Sequence, residues 1–593
     1  MLEDASSRRR QKSFFLWGVI VVSALIAIVL GIVGYAEYHS TAPGGAGDRS
    51  FLGLLYDSVR LLLVDWNISA DETLPKAIQM ARLFALVSWG AAGVKGLFTL
   101  ARRRIELIRC RLHRDHAVVC GLGRQGLQLV DDLMEHHIRT IAIEIDPDSP
   151  HIRRVRAAGV PVLVGSATST TTLQAAATAR ARFLFAVAGD DKVNIEIATK
   201  AYECRSSAGA GGRTLRCAVH IEDSEVSELF SGRPLFDTPT DGFEAQLFDI
   251  NRLAARALLD QYPPDRLQAV HAPDDSPASI LVFGTEALAH EVVTQIARTG
   301  HYGNRKKPIV RLVTSGEDSV ARSVERRRAA LSEFLDLEVS VMDFEDLLTN
   351  DDVLEEHVAH QPPSVVYVCL STAVASLRLV AGLQRTGVTE NATVVVCTAD
   401  HSDFTLLAPG PTERGQSDYV LFDVMRETCT VENVMREGLD HLARAIHDDY
   451  VTRQKALGHS AGTNRSLTPW HALPEILRDA NRHQADYLAV KLRVLGYDPP
   501  ARMPPADLSL STEQLELVAE LEHRRWLAEK RLAGWRYTSG PKNAARRLAP
   551  TIIEWEALSE EEKEKDRDTA RELPRLVAIK LDTAAAGHQA SGT

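Results

Sequence analysis

The chain has 593 residues, 45% of them hydrophobic and 25% charged, and carries a formal net charge of -11. That length exceeds one hydrophobic core and implies about three or four domains, while the acidic balance excludes a broad nucleic-acid surface, which needs a basic face to displace counterions. The 7 cysteines stand singly with no C-x-x-C pair, so neither a zinc centre nor a disulfide framework is expected, no metal site is predicted, and the thiols read as small buried apolar residues in a reducing compartment.

Residues 14–35 contain no charge and are long enough to cross a hydrocarbon layer as a helix. A cleaved signal peptide is the competing reading, but the run is long for one and no small-x-small site follows. A second segment, 77–100, holds Arg82 and Lys95 near its ends, where cationic side chains can snorkel to headgroups. Arg8, Arg9, Arg10 and Lys12 precede the first segment, and Arg102, Arg103, Arg104 and Arg109 follow the second. The positive-inside rule then predicts a multi-pass hairpin in the cell membrane with both termini cytoplasmic and the lipid bilayer as partner. Between the segments, residues 51–64 are apolar but too short to cross, and read as a re-entrant or an interfacial helix.

Cys120-Gly-Leu-Gly-Arg-Gln-Gly126 is a G-x-G-x-x-G turn between a short apolar run, 116–120, and a stretch with helical spacing from Leu127. Gly121 permits the tight turn, Gly123 lets backbone approach a pyrophosphate, and Gly126 lets helix and strand pack closely, with helix N–H groups and dipole facing the anion. A second strand over 140–145 carries Glu144, spaced to accept hydrogen bonds from ribose hydroxyls. The plain alternative is a glycine turn with no ligand. Residues 161–168 (Pro-Val-Leu-Val-Gly-Ser-Ala-Thr) and 183–201, with Gly189-Asp190-Asp191 and Asn194, extend the pattern over about 130 residues.

This stretch resembles the RCK (TrkA-N) domains, the NAD-binding regulators of potassium channels and transporters. The resemblance implies a nucleotide-sensing domain with NAD(H) or an adenine nucleotide as cofactor and Gly121, Gly123, Arg124, Gln125, Gly126, Glu144, Ala167 and Thr168 as contacts; Ser166 stands where the family has an acid. Membrane segments ahead of such a domain resemble the channels these domains gate. The stretch matching their Thr-Val-Gly-Tyr-Gly filter contains Val64, Asp65, Trp66 and Asn67, however, so glycines are missing where carbonyls must turn inward. A ring of Asp65 carboxylates could make a less selective path for a monovalent cation; a simple anchor is the other reading. A dehydrogenase would need an acid or base near a nicotinamide. His220 and Asp223 follow a fifth strand and could serve, with a polar surface loop as the plainer account of both, so no catalytic residue is expected and the chain is read as not an enzyme.

From residue 279, Ser-Ile-Leu-Val-Phe-Gly-Thr-Glu-Ala-Leu-Ala repeats the strand-turn-helix pattern with Glu286 and Ala289 in place of the second and third glycines, so this copy should bind no pyrophosphate. Strand-like runs at 309–313, 338–342, 365–370 and 393–398 support a second doubly wound sheet. The basic run 322–328 reads as a solvated helix face. Past residue 440 the pattern is helical, interrupted by a Gly/Ser/Thr linker at 458–468.

The order Glu522-His523-Arg524-Arg525-Trp526, Gly534-Trp535-Arg536-Tyr537, Trp555 and 562–567 (Glu-Lys-Glu-Lys-Asp-Arg) resembles the ryanodine-receptor repeat, the RyR domain. His523 and Trp526 share a helical face, and Trp535, Tyr537 and Arg531 can add an aromatic wall and a positive charge, suited to a nucleobase and a phosphate. The alternative is that these aromatics form a small core. Residues 560–568 read as exposed i,i+4 ion pairs, and 584–593 as a tail.

The expected fold is therefore α/β, with a transmembrane helical hairpin, tandem Rossmann-like doubly wound parallel sheets of which the second is degenerate, and a C-terminal all-α RyR-like domain. The expected boundaries are 1–112, 113–275, 276–440, a helical linker over 441–510, 511–582, and a tail over 583–593. The expected function is that of a nucleotide-sensing membrane regulator, a ligand-gated cation channel or transport subunit of the potassium type acting as a homo-oligomer, with a tetramer supplying an eight-unit ring. A non-conducting sensor subunit and a membrane-bound NAD-dependent oxidoreductase are the alternatives.

Overall fold

The computed structural model describes the chain except residues 1, 42–49, 63–73, 210–212, 232, 238–239, 241, 286, 316–327, 360–361, 388–391, 399–418, 436–439, 460–464, 471–472, 499–500, 506–507 and 580–593. Val64, Asp65, Trp66, Asn67, Glu286, most of the 322–328 run and the tail thus lie outside the described residues. The chain divides into two compact units: Met1–His113, grouped with Asp148–Leu163 and Ala175–Ala177, and the remainder.

In the first unit, three helices occupy the N-terminal region: α1 (Leu2–Thr41), α2 (Phe51–Leu62) and α3 (Lys76–Leu112). Close approach is set by glycine: a Cβ at Gly31 would lie 2.8 Å from Ser58, and one at Gly34 would lie 2.6 Å from Ile78. Tyr35, Leu61, Ile78 and Ala81 close a small core there, and the Ser88 hydroxyl donates to the Ile20 carbonyl at 3.2 Å. Many apolar residues outside this seam are exposed, among them Val21, Leu25, Val29 and Val33 on α1 and Leu83, Leu86 and Trp89 on α3. Among the described residues one helical stretch, Gly18–Ser40, is long and apolar enough to cross a membrane. The second expected segment lies within a helix, α3, and is not among the stretches that meet that test among the described residues.

The body contains two six-stranded parallel sheets. The first has the order β3-β2-β1-β4-β5-β6, built from β1 (Ala117–Cys120), β2 (Thr140–Glu144), β3 (Val162–Val164), β4 (Phe183–Ala186), β5 (Leu215–His220) and β6 (Phe243–Phe248). The second repeats it as β12-β11-β10-β7-β8-β9, with β7 (Ser279–Gly284), β8 (Ile309–Thr314), β9 (Asp336–Val341), β10 (Val365–Cys369), β11 (Thr393–Thr398) and β12 (Val420–Asp423). Both place the first strand beside the fourth, the point where the strand order reverses and where doubly wound sheets receive ligands. The central strands β1, β4, β7 and β10 are buried along their whole length, which is why they read as continuous Val, Ile, Leu and Phe runs. The edge strands β6 and β12 were not anticipated: β6 carries Glu244 and Gln246, and β12 is four residues long.

The C-terminal region is helical, as expected, with the long helix Thr512–Leu532 opened by a capping box between Ser511 and Gln514. It also contains one two-stranded ribbon, β13 (Arg536–Tyr537) against β14 (Leu548–Ala549). All seven cysteines are buried, and none forms a disulfide.

Candidate functional site

The strand β1 ends at the glycine turn, and the helix α4 (Arg124–Glu135) starts with Gly123 at its N-cap. Gly121 has φ +101°, and a side chain there would meet the Val187 carbonyl at 2.6 Å. At Gly126 a Cβ would lie 2.0 Å from the Gly121 carbonyl oxygen, so the helix packs on the turn with no room for a methyl group. Gly123 differs: nothing lies within 4 Å of a Cβ placed there, and both Gly123 and Arg124 are exposed. The three glycines thus divide into two that seal the turn and one that faces open space, beside helix N–H groups that have no intrahelical acceptor.

Glu144 ends β2 alongside this turn. Its Oε2 accepts the Leu122 N–H at 2.8 Å and its Oε1 accepts the Asp146 N–H at 3.0 Å. Each oxygen keeps further acceptor capacity, so the carboxylate is oriented and still able to receive hydroxyl donors. The Gly165 N–H donates to the Glu144 carbonyl at 2.8 Å, which brings the 165–168 turn to the same edge. There the Ser166 hydroxyl accepts the Thr168 N–H at 3.2 Å and shares a hydrogen bond with the Thr168 hydroxyl at 2.8 Å. Ser166 replaces the family's acid without leaving a hole: it closes the turn on itself. Gly121, Gly123, Arg124, Gln125, Gly126, Glu144, Ala167 and Thr168 thus share one end of one sheet.

Two residues stand behind the turn. The buried Asn194 accepts the Ala188 N–H at 2.7 Å and donates to the His220 carbonyl at 3.1 Å, tying the end of β4 to the end of β5. Asp191 accepts the Glu222 and Asp223 N–H groups at 3.0 Å each. His220 is not a surface-loop residue: it is the buried last residue of β5, packed edge-on to Phe248 and 3.4 Å from the Gln125 amide. Burial pushes its pKa down to about 4 against the pull of Asp191, so the ring is neutral at pH 7. Asp223 is exposed.

Arg124, Gln125 and His220 also border a cavity of about 190 Å³ that is lined as well by Cys369 of β10, Cys397 of β11 and Leu288 of the helix after β7. In that sheet a Cβ on Gly284 would lie 2.2 Å from the Ala289 methyl. The close helix-strand contact of the first turn is therefore reproduced with an alanine on the helix side.

Residues 117–230 match the TrkA-N domain family and residues 505–580 match the RyR domain family. The chain carries a TrkA-N domain and a C-terminal RyR domain. The TrkA-N match spans the glycine turn, Glu144, Thr168 and Asn194. No curated relative matches the chain. Among solved structures, the chain is similar to the GsuK channel bound to NAD (11% identity, covering 74% of this chain and 86% of that one, TM-score 0.39). It is also similar to GsuK bound to ADP (14%, 70% and 93%, TM-score 0.37) and to the A chain of dipicolinate synthase from Bacillus subtilis (9%, 55% and 93%, TM-score 0.20).

In the RyR domain, His523 lies between two indoles, with its ring centroid 5.7 Å from that of Trp526 and 5.8 Å from that of Trp555. Its Nε2 meets the Ile553 carbonyl at 2.8 Å and its Nδ1 lies 3.3 Å from Asp566. Burial lowers its pKa, but the hydrogen bonds to Asp566 and Ile553 outweigh it and hold the value above that of a free histidine. Both ring nitrogens are therefore engaged inside the domain. Trp526 and Trp535 pack half-buried against Leu527, Ala549 and Ile552 together with Phe334, while Tyr537 is exposed. Arg531 is drawn toward Glu333, 3.4 Å away. Sequence reasoning missed Trp555 as the second stacking partner and Lys542, which sits 5.6 Å over the Trp535 ring.

Proposed function

We propose that the chain is a membrane-anchored regulator that senses a nucleotide at the TrkA-N turn. The single observation that carries this reading is the geometry of the turn: Gly121 and Gly126 are sterically obligatory, whereas Gly123 faces open space at a helix N-terminus beside an oriented Glu144. NAD(H) or an adenine nucleotide fits these residues. Glu144 would receive the ribose hydroxyls, the amides from Gly123 to Gln125 the phosphates, and the cavity beside Gln125 and His220 the far half of a dinucleotide. We read the chain as a sensor with no catalytic residue.

The exposed apolar faces of α1 and α3 support an anchored protein, since such surface is costly in water at about 25 cal/mol per Å². We read the output as gating of a cation path or of a transport subunit, in a homo-oligomer, a tetramer in the simplest case. A non-conducting sensor subunit is the second reading. The RyR domain supplies a second sensor, with the half-buried Trp526 and Trp535 and the exposed Tyr537 and Lys542 as its candidate groups.

The test is calorimetry and thermal shift on detergent-purified protein with NAD+, NADH, ADP, ATP and AMP. Gly123→Asp, which puts a carboxylate where a phosphate would lie, should abolish binding and leave the unliganded melting temperature unchanged. Equal binding by wild type and variant would overturn the reading. Reconstituted vesicles then separate the conducting form from the non-conducting one.

A further inference from the structure

Three of the RyR groups that the sequence points to, Trp526, Arg531 and Trp535, share contacts with one short turn of the second sheet domain. Residues 332–335 form that turn, immediately before β9. The Phe334 side chain packs into the same apolar cluster as Trp526 and Trp535, around Leu527, Ala549 and Ile552. The carboxylate of its neighbour Glu333 lies 3.4 Å from the Arg531 guanidinium. Two adjacent residues thus bring a flat apolar ring to the indoles and an anion to the arginine, the two features such a surface suits.

The ionic half of this contact is loose. Elsewhere in the chain arginine meets carboxylate at 2.6 Å, as in Arg256–Asp486, and at 2.7 Å, as in Arg525–Glu529. Among the described residues Arg531 has the 3.4 Å approach to Glu333 and a 3.5 Å donation to the Ile552 carbonyl, while its buried Nε makes no hydrogen bond. A guanidinium carries five donors, and a phosphate takes them at about 2.7–2.9 Å, often two at once. Lys542 adds a second cation, 5.6 Å over the Trp535 ring, and among the described residues no carboxylate lies within 4 Å of it. The half-exposed Glu333 therefore offsets less positive charge than this surface carries, and a phosphate would satisfy it better.

We propose that the Glu333–Phe334 turn is a built-in occupant of the RyR ligand surface, displaced by a small molecule that joins an aromatic ring to a phosphate. The inference rests on the reading of the RyR domain as a second sensor and adds how that sensor is held closed. The ligand's ring takes the place of Phe334 beside the indoles, and its phosphate takes the place of Glu333 at Arg531. Displacement frees the turn that leads into β9, the edge strand of the second sheet, so occupancy of the RyR domain is felt by that sheet. A turn that covers the surface nine-tenths of the time lowers the apparent affinity about tenfold.

The experiment is calorimetry on the full chain in detergent, carrying Gly123→Asp so that the TrkA-N turn is silent, with AMP, ADP, ATP and NAD+ as probes. Phe334→Ala and Glu333→Ala should each raise the affinity for at least one probe about tenfold over this parent, and Arg531→Ala should remove the gain. A contact that only holds the fold together would lower the melting temperature in Phe334→Ala and raise no affinity. Glu333→Ala, which removes a half-exposed carboxylate, carries the test if Phe334→Ala does not fold. A probe that binds the parent and both variants equally overturns the proposal and leaves the RyR sensor standing. No saturable binding in the parent or in any folded variant overturns the RyR sensor and the proposal together, and leaves the TrkA-N reading untouched.

Discussion

At the scale of single residues, the TrkA-N turn makes three glycines unequal. Gly126→Ala places a methyl carbon 2.0 Å from a backbone oxygen, which no side-chain rotation relieves, so the helix must lift off the strand. The expected loss is about 1–3 kcal/mol, as for other overpacked sites, read from chemical denaturation. Gly123→Ala meets nothing within 4 Å and should leave stability within about 0.5 kcal/mol of wild type while weakening any nucleotide. Asp249 is a pH-sensitive residue behind the first sheet. Burial and the neighbouring Glu291 push its pKa up to about 8, against the N–H groups of Asn251 and Arg252 that it caps. Because the folded state holds this proton and the unfolded chain releases it near pH 4, stability contributed by Asp249 is full at low pH and lost as pH rises toward 8. Asp249→Asn keeps a cap acceptor and should flatten that part of the stability profile; an unchanged slope between pH 5 and 8 would show that Asp249 is ionised in the fold.

At the scale of elements, the helix Thr512–Leu532 shows what a charged sequence can hide. Glu522, Arg525 and Glu529 look like a solvated face, yet all three are buried. Arg525 reaches Glu522 at 2.9 Å and Glu529 at 2.7 Å, and Lys491 from another helix reaches Glu522 at 2.6 Å. Burial alone would raise the Glu522 pKa, but Arg525 and Lys491 reverse it and hold it below the ordinary value. Glu522→Gln leaves two cations short of a partner in the interior and should cost about 3–5 kcal/mol, measurable as a lowered denaturation midpoint; a loss under 1 kcal/mol would show that water reaches the cluster. Ten of the twelve strands in the two sheets were legible from apolar runs bounded by turn residues, and so were the glycine turn and Glu144, because their chemistry is local in the chain. The strand β6 was not, since its Gln246 is satisfied by the Val434 carbonyl from far along the sequence, at 2.6 Å. The pairs in the helix Glu560–Arg571 also departed from expectation: they run i,i+3, as in Lys563–Glu560 and Arg571–Asp568, and Arg567 reaches Glu516 on another helix at 2.8 Å. The buried partner of a charge is fixed by tertiary packing, and no local pattern names it.

At the scale of the whole molecule, the two proposed sensors either share an equilibrium or act separately. A run of polar contacts joins the helix after the first sheet to the RyR helix: Arg256 to Asp486 at 2.6 Å, Arg252 to His483 at 3.2 Å, His483 to Glu529 at 3.6 Å and Glu529 to Arg525 at 2.7 Å. Spatial continuity alone is not coupling; coupling is a free energy, and it must act equally in both directions. Linkage of ordinary size, about 1–3 kcal/mol, would make a nucleotide at the TrkA-N turn and a ligand at the RyR indoles each change the other's affinity by about 5- to 150-fold. Replacing Arg256 and Asp486 together, by Met and Leu, removes the first link without stranding a buried charge, so the fold should hold. With ADP as the probe in titrations followed by calorimetry and tryptophan fluorescence, wild-type protein should show a fluorescence response from the RyR indoles that Gly123→Asp abolishes and the Arg256→Met, Asp486→Leu pair reduces. If the double variant keeps the full response, the ionic run is structural only, and the two domains communicate by another route or not at all.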